Sequence, residues 1–169
     1  MNKENITLIG MPGAGKSTVG IVLAKILGME FLDSDLLIQR REKKLLWEII
    51  EAVGLDGFDR IEEEVNCSIR TERTVIATGG SAVYSEKAME HLREISTIVY
   101  LKVSCEELHR RLGDLKNRGV SIKEGQTLED LYAERCPLYE KYADLIVDLE
   151  KTDIRQAAGL IADRFEKQR

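Results

Sequence analysis

The chain has 169 residues, a net charge of −5 and 43% hydrophobic residues, which is an ordinary globular composition. This length predicts one domain over residues 1–169 that buries a core without disulfides or a structural metal. The acidic charge argues against nucleic-acid binding, and the sequence has neither an apolar leader nor the roughly 18 apolar residues of a membrane span, so a cytoplasmic protein is expected. The odd number of widely spaced cysteines (Cys67, Cys105 and Cys136) argues against a disulfide framework and shows no metal-binding spacing.

Short apolar runs alternate along the chain with segments of helical periodicity. The predicted strands are 6–10, 30–35, 74–80, 97–103 and 144–149. The predicted helices are 17–28, 36–44, 46–54, 58–71, 85–95, 104–115, 127–143 and a last helix after Asp153. This alternation is typical of βαβ units, so the expected fold is α/β, with about five parallel strands and helices on both faces.

Capping signals bound several of these helices, and one loop interrupts the pattern. The caps are Gly28 at a C-terminus and Ser85, Ser104 (paired with Glu107 in a capping box), Thr127 and Asp153 at N-termini. Pro137 is expected to kink the helix that contains it. Residues 116–126 have two glycines and no periodicity, which predicts a mobile lid over about 113–126.

A local basic cluster lies just before and within this loop. It consists of His109, Arg110 and Arg111, followed by the basic residues between Lys116 and Lys123. Two interpretations stay open from the sequence: an anion site in an otherwise acidic protein, or a solvated helix end.

The octapeptide GMPGAGKS, residues 10–17, matches the phosphate-binding pattern G-x-x-x-x-G-K-[ST]. A predicted strand precedes it and a predicted helix follows, which is the context the pattern requires. Its glycines allow backbone N–H groups to face a phosphate, Lys16 can reach the β- and γ-phosphates, and Ser17 can bind Mg²⁺. The predicted nucleotide-binding residues here are Gly13, Ala14, Gly15, Lys16, Ser17 and Thr18.

The remaining sequence narrows the class of nucleotide-binding protein. No Asn-Lys-x-Asp guanine motif and no second ATPase-like signature is present. A small domain with a lid loop therefore favours a kinase that closes over a small acceptor.

Two carboxylates, Asp33 and Asp35, end the second predicted strand. Residues two apart on a strand share a face, and ligands of open α/β sheets bind at the carboxyl ends of the strands. One carboxylate can support a metal ion and the other can accept the proton of an acceptor hydroxyl. Alternatively, Asp35 caps the helix that starts near Leu36.

The motifs GMPGAGKST, DSD, Phe-x-x-x-Glu, ATGG, a lid arginine and ERCPLY occur here in an order and spacing that resemble shikimate kinase. The resemblance covers nearly the whole chain. It implies a P-loop kinase fold whose substrate-binding helical region spans about 35–71, with ATP and Mg²⁺ as cofactors.

On the nucleotide side, the resemblance implies a role for five side chains. Lys16 would stabilise the transferring phosphoryl group, Ser17 and Asp33 would hold the metal, and Arg111 would lie against the adenine. Arg118 would reach the phosphates from the lid.

On the acceptor side, the resemblance implies that Asp35 holds the substrate hydroxyls and acts as base. Gly79 and Gly80 would offer backbone N–H groups, and Arg135 would bind the substrate carboxylate. Electrostatic positioning of this kind provides most of the catalysis in phosphoryl transfer.

Three positions depart from the family pattern. Asp59 replaces the arginine that grips the shikimate carboxylate, Ser81 replaces a third glycine, and Gly119 replaces the proline after the lid arginine. Asp59 would remove a cation and repel Glu62, so it is counted among the substrate-binding residues that set acceptor choice. It could also simply cap a helix that begins near Arg60.

The resulting prediction is an ATP-dependent phosphotransferase that acts on an alcohol group and converts shikimate to shikimate 3-phosphate in aromatic amino acid biosynthesis. The alternative is a paralogue that phosphorylates another small acceptor, such as a hydroxy-amino acid or polyol acid. A non-catalytic nucleotide-binding module and a nucleoside monophosphate kinase are less favoured. The expected partner is a small-molecule substrate, without nucleic acid or membrane, and the family implies a monomer.

Overall fold

A computed structural model describes residues 3–112, 120–150 and 152–167. Within them, five strands form one parallel sheet in the order β2-β3-β1-β4-β5. The strands are β1 (Asn5–Ile9), β2 (Glu30–Asp33), β3 (Thr74–Ala77), β4 (Ser96–Lys102) and β5 (Leu145–Asp148). All five residues of the central strand β1 are buried. Because alternate side chains point to opposite faces, helices must cover both faces, and the predicted α/β fold is confirmed.

Seven α-helices lie within the described residues. They are α1 (Lys16–Leu27), α2 (Ser34–Glu42), α3 (Leu46–Ser68), α4 (Glu86–Ile95), α5 (Cys105–Arg111), α6 (Leu128–Tyr142) and α7 (Ile154–Lys167). A short 3₁₀ turn spans Ala82–Tyr84. A membrane-spanning helix is absent from this described part of the chain.

Most of the predicted helix-capping residues are confirmed. Gly28 ends α1 with φ 62°, and Ser85, Thr127 and Asp153 each accept a backbone N–H at the start of α4, α6 and α7. At α5 the predicted capping box is only half formed. Ser104 accepts the N–H of Glu107, but the Glu107 carboxylate turns to Arg110 and Arg111 instead.

The helical backbone is interrupted in α3 but not in α6. α3 joins the two predicted helical pieces across Gly54, whose φ of 72° and ψ of 178° interrupt the helical backbone. α6 continues through Pro137 with no residue of non-helical backbone between Leu128 and Tyr142, so the predicted kink does not break the helix.

The strand order brings three chain segments to one edge of the sheet. The glycine-rich loop 10–15 follows β1, Asp33 ends β2, and residues 78–80 follow β3. Since β2, β3 and β1 are adjacent and parallel, these segments meet at the carboxyl ends of the strands, where ligands of such sheets bind.

Candidate active site

The loop between β1 and α1 is tightly wrapped. Gly13 and Gly15 have φ values of 79° and 96°, which favour glycine, and Gly15 immediately precedes α1. A side chain at Gly13 would strike Leu112, because its Cβ would lie 2.8 Å from Leu112 Cδ2. The loop backbone and the N-terminus of α1 therefore have the wrapped geometry of the anion-binding cradle that the motif predicts.

Lys16 lies at the mouth of this cradle. Its Nζ donates to the carbonyl oxygens of Gly10 at 2.7 Å and Met11 at 2.8 Å, and the residue is only 8% exposed. Burial lowers the pKa of Lys16 to about 8, although the nearby Asp35 carboxylate opposes this shift. A phosphate would supply the negative charge that this ammonium group needs.

Ser17 and Asp33 are joined directly. Ser17 Oγ donates to Asp33 Oδ2 at 2.6 Å, while Asp33 Oδ1 accepts the N–H of Asp35 at 2.9 Å. Asp33, and not Asp35, is thus the N-cap of α2. The prediction that Asp33 and Asp35 point to the same face of a strand is also wrong, because Asp35 lies in the first turn of α2. A hydroxyl and a carboxylate beside a phosphate cradle fit a hard divalent cation.

Asp35, in the first turn of α2, lies beside Gly79. Its Oδ1 would be 2.9 Å from a Cβ placed on Gly79. Burial, followed by the charge of Asp33, raises the pKa of Asp35 to about 6, while Lys16 lowers it. At neutral pH this carboxylate is ionised and can accept a proton.

Glu62 on α3 also faces Gly79. It is 3% exposed, and its Oε2 accepts a hydrogen bond from Ser81 Oγ at 2.6 Å. A Cβ on Gly79 would collide with its Oε1, so a side chain there would displace the carboxylate. Burial raises the pKa of Glu62 to about 8, and the Asp35 charge adds to this while Ser81 opposes it.

The two glycines after β3 are tightly enclosed. Gly79 N–H donates to Ser34 Oγ at 3.3 Å, so a substrate oxygen would have to replace a bond that already exists. The carbonyl of Gly80 accepts from Tyr139 Oη at 2.6 Å, and Arg135 Nη1 would lie 3.0 Å from a Cβ on Gly80. The glycines therefore make room for Asp35, Glu62 and Arg135.

Arg135 of α6 is a fully buried cation, with 1% of its surface exposed. Its Nη2 donates to Ser121 O at 2.6 Å, its Nε donates to Tyr84 Oη at 3.1 Å, and its guanidinium lies 5.1 Å from the centre of the Tyr84 ring. No ion pair within 4.0 Å joins it to a carboxylate of the described residues. The arrangement holds the guanidinium rigid beside the cleft and leaves it able to bind an anion.

These residues line one cleft of about 430 Å³. Of the predicted site residues, it is lined by Gly13, Gly15, Lys16, Ser17, Thr18, Asp35, Gly79, Gly80 and Arg135. Ala14 lies in the loop itself, and Asp33 reaches the site through Ser17. Arg111 donates to the carbonyl oxygen of Ala14 at 3.3 Å, which places it on the phosphate loop. Arg118 and Gly119 lie outside the described residues, as does the whole of 113–119, which is half of the predicted lid.

Asp59 does not line this cleft. It lines a side cavity of about 190 Å³ that shares Glu62 and Ser81 with the cleft. Asp59 also lies inside α3, five residues beyond Gly54, so it is not the predicted helix cap. Burial raises the pKa of Asp59, against the opposing charge of Arg135.

Several buried side-chain atoms on this part of α3 have no hydrogen-bond partner. Across the described residues, they are Asp59 Oδ1, Glu62 Oε1 and both polar atoms of Asn66. All three residues line the side cavity. Buried polar atoms require partners, so this face of α3 needs water or a hydroxylated ligand.

The sequence did not indicate the residues that hold Arg135. Tyr84 lies in a 3₁₀ turn after ATGG, and Ser121 contributes a backbone carbonyl from an irregular segment. Neither position has a motif of its own. Glu62 could have been predicted as a site residue from the sequence, because it is the glutamate of the Phe-x-x-x-Glu pattern.

We expect Glu62→Gln to make the protein more stable at alkaline pH. The folded-state pKa is raised from 4.5 to about 8, so the folded state retains a proton that the unfolded chain releases in this window. The free energy of unfolding therefore falls as pH rises through the window, and glutamine escapes this loss. Denaturant unfolding should show a gain on the order of a few kcal/mol near pH 8 that shrinks towards pH 5.

The matched control is Glu51→Gln, at an exposed position on the same helix. We expect it to change the free energy of unfolding by less than about 0.5 kcal/mol at either pH. If Glu62→Gln raised the free energy of unfolding equally at both pH values, the buried carboxyl would not be protonated in the folded protein.

Comparison with known proteins gives one consistent family. The family model described as "Shikimate kinase" matches residues 12–166. A curated shikimate kinase of Methylococcus capsulatus is 41% identical over 169 residues, covering 98% of this chain and 94% of that relative. A shikimate kinase of Histophilus somni is 37% identical over 97% of this chain and 96% of its own length.

Solved structures agree with the sequence comparison. A shikimate kinase from Acinetobacter baumannii in complex with shikimate superposes with a TM-score of 0.88 at 35% identity, covering 98% of this chain and 94% of the other. A deoxyadenosine kinase from M. mycoides matches with a TM-score of 0.60 at 17% identity, which is a likeness of fold alone.

Proposed function

The chain belongs to the shikimate kinase family, and we propose that it transfers the terminal phosphoryl group of ATP to a hydroxyl group of shikimate, giving shikimate 3-phosphate. It is a phosphotransferase that acts on a hydroxyl group and uses ATP with a divalent metal, as its family does. Within that class, the observation that favours shikimate is the buried Arg135, which has no ion-pair partner among the described residues and lines the cleft.

Shikimate is a cyclic carboxylic acid with several hydroxyl groups, and its carboxylate would complete the Arg135 site. A guanidinium binds a carboxylate with two parallel hydrogen bonds, which fixes the orientation of the ring. The ring hydroxyls would then face Asp35 and Glu62, the two carboxyl groups beside Gly79. We further propose that the region 35–71, which carries both, forms the acceptor side of the cleft.

Asp35 is the proposed base. Its pKa of about 6 leaves it ionised at neutral pH but makes it a stronger proton acceptor than an ordinary aspartate. Lys16, whose charge lowers the Asp35 pKa, is proposed to stabilise negative charge on the transferring group. In this role it must leave the carbonyls of Gly10 and Met11.

The proposed metal is Mg²⁺, held by Ser17 and Asp33. Their oxygens are 2.6 Å apart at the end of the phosphate cradle, and all-oxygen ligands suit this ion. When bound, the ion would neutralise charge on the phosphates. We propose that Arg111 packs against the adenine, since it already lies on the loop, and that Arg118 adds a further charge from the lid.

The alternative acceptor predicted from Asp59 is not supported by the comparisons, whose relatives are named shikimate kinases. The geometry supplies a physical reason, because Asp59 lines the side cavity and not the main cleft. A single, rigid Arg135 is then left to bind the carboxylate.

An acceptor panel tests this proposal. We expect ADP release to depend on shikimate, with kcat/KM at least about tenfold above homoserine, serine, threonine or gluconate, because none of these matches both the ring hydroxyls and the carboxylate. Asp59→Asn should keep the same order of acceptors. If another acceptor stimulates ADP release and shikimate does not, the family resemblance does not extend to substrate choice.

The expected monomer can be checked on the same sample by sedimentation.

A further inference from the structure

Away from the cleft, three metal-binding side chains converge between α5 and α6. Cys105, His109 and Glu129 each bring one ligand atom to the same place, and all three atoms lie within 4.8 Å of one another. His109 Nε2 and Glu129 Oε1 are already 2.5 Å apart. Tetrahedral zinc places its ligand atoms about 2.0–2.3 Å from the ion, so a small outward shift would admit it.

The two helices position these ligands from opposite sides. Cys105 and His109 are four residues apart on α5 and therefore share a face. Glu129 lies in the first turn of α6. Cys105 is half-buried and gives the site a fixed inner ligand, while His109 and Glu129 are exposed and leave a path for an ion and a water ligand.

The positive charge beside the cluster is partly compensated. Arg110 and Arg111, the cations next to His109 in sequence, both pair with Glu107. Glu107 therefore compensates part of this positive charge within α5, and the anion site stays a prediction. Arg111 also reaches the phosphate loop on the other side of the helix.

We propose that Cys105, His109 and Glu129 form a binding site for a borderline transition-metal cation, with zinc as the expected ion. A thiolate, an imidazole and a carboxylate suit zinc, whereas Mg²⁺ prefers oxygen ligands, so this site is distinct from the one at Ser17 and Asp33. Binding replaces the thiol proton of Cys105, which is released to solvent. The ion ties the start of α5 to the start of α6.

Cobalt titration of the chelator-treated, reduced full chain tests the site. We expect one equivalent of Co²⁺ to give a thiolate-to-cobalt charge-transfer band, and zinc to remove it while excess Mg²⁺ does not. Zinc should also raise the thermal midpoint. Absence of the band, or its removal by Mg²⁺, would overturn the proposal.

Variants identify the ligands. The matched control Cys67→Ser removes another half-buried cysteine and should keep the band. Cys105→Ser should abolish it, and His109→Gln and Glu129→Gln should each weaken cobalt binding at least about tenfold. The last two positions are exposed, so these variants are expected to fold even if Cys105→Ser does not. Unchanged affinity in both exposed variants, or loss of the band in Cys67→Ser, would contradict the assignment. The result is independent of kinase activity.

Discussion

Replacing Lys16 by methionine is expected to lower kcat by at least about 100-fold, because it removes a buried cation that stabilises negative charge on the transferring phosphoryl group. Methionine keeps the unbranched, apolar character of the lysine stem. The variant loses two hydrogen bonds, to Gly10 O and Met11 O, but no ion pair within the described residues. Steady-state kinetics with shikimate and ATP measure the effect.

The matched control for this variant is Lys25→Met. Lys25 lies on the same helix, α1, but is exposed in its last turn. We expect its kcat to stay within about twofold of the unaltered protein, since surface substitutions away from a site rarely disturb it. If Lys16→Met and Lys25→Met turned over equally fast, the phosphate-binding role of Lys16 would be wrong.

The second large effect is expected at Arg135. Arg135→Met should raise the KM for shikimate by at least about 30-fold, because loss of a buried charged partner costs roughly 2–5 kcal/mol. The KM for ATP should change little, because the phosphate cradle is formed by other residues, the loop between β1 and α1. This split between the two KM values separates a lost acceptor contact from general damage to the fold.

Lys141→Met is the control for Arg135. Lys141 is an exposed cation on the same helix, α6, and its removal should leave both KM values unchanged. Thermal unfolding of Arg135→Met shows whether the bonds to Tyr84 and Ser121 are needed for stability. A selective rise in the KM for ATP would indicate that Arg135 contacts the nucleotide instead.

The sequence predicted the tight loop between β1 and α1 well because that loop is built from backbone. Gly13 and Gly15 adopt positive φ values, and a loop between a strand and a helix can hardly form this cradle with other residues. The alternation of strands and helices likewise restricts the sheet to a parallel one. Both features depend on neighbours along the chain, and a pattern of residues records them directly.

The acceptor side could be predicted only in part, because it depends on contacts between distant segments. Arg135 is held by Tyr84, 51 positions away, and by the Ser121 carbonyl. Asp59 lines the side cavity because of its position around the axis of α3, and that position follows from the break at Gly54. A sequence pattern shows that Asp59 differs from the family, but not the direction in which its side chain points.

Two local errors have a similar physical origin. The end of β2 and the start of α2 are adjacent, so Asp33 serves as strand end, helix cap and partner of Ser17. Propensity alone could not divide those roles between Asp33 and Asp35. At α5, Glu107 forms ion pairs with Arg110 and Arg111 and therefore does not complete the predicted capping box.

The identity of the phosphorylated product is the most direct test of the function proposed for this site. The unaltered protein, ATP, Mg²⁺ and shikimate should give a phosphate monoester of shikimate in a ³¹P NMR spectrum, with one ADP formed for each ester. Lys16→Met should give neither product in the same time. ATP consumption that yields inorganic phosphate and no shikimate ester from the unaltered protein would contradict the account.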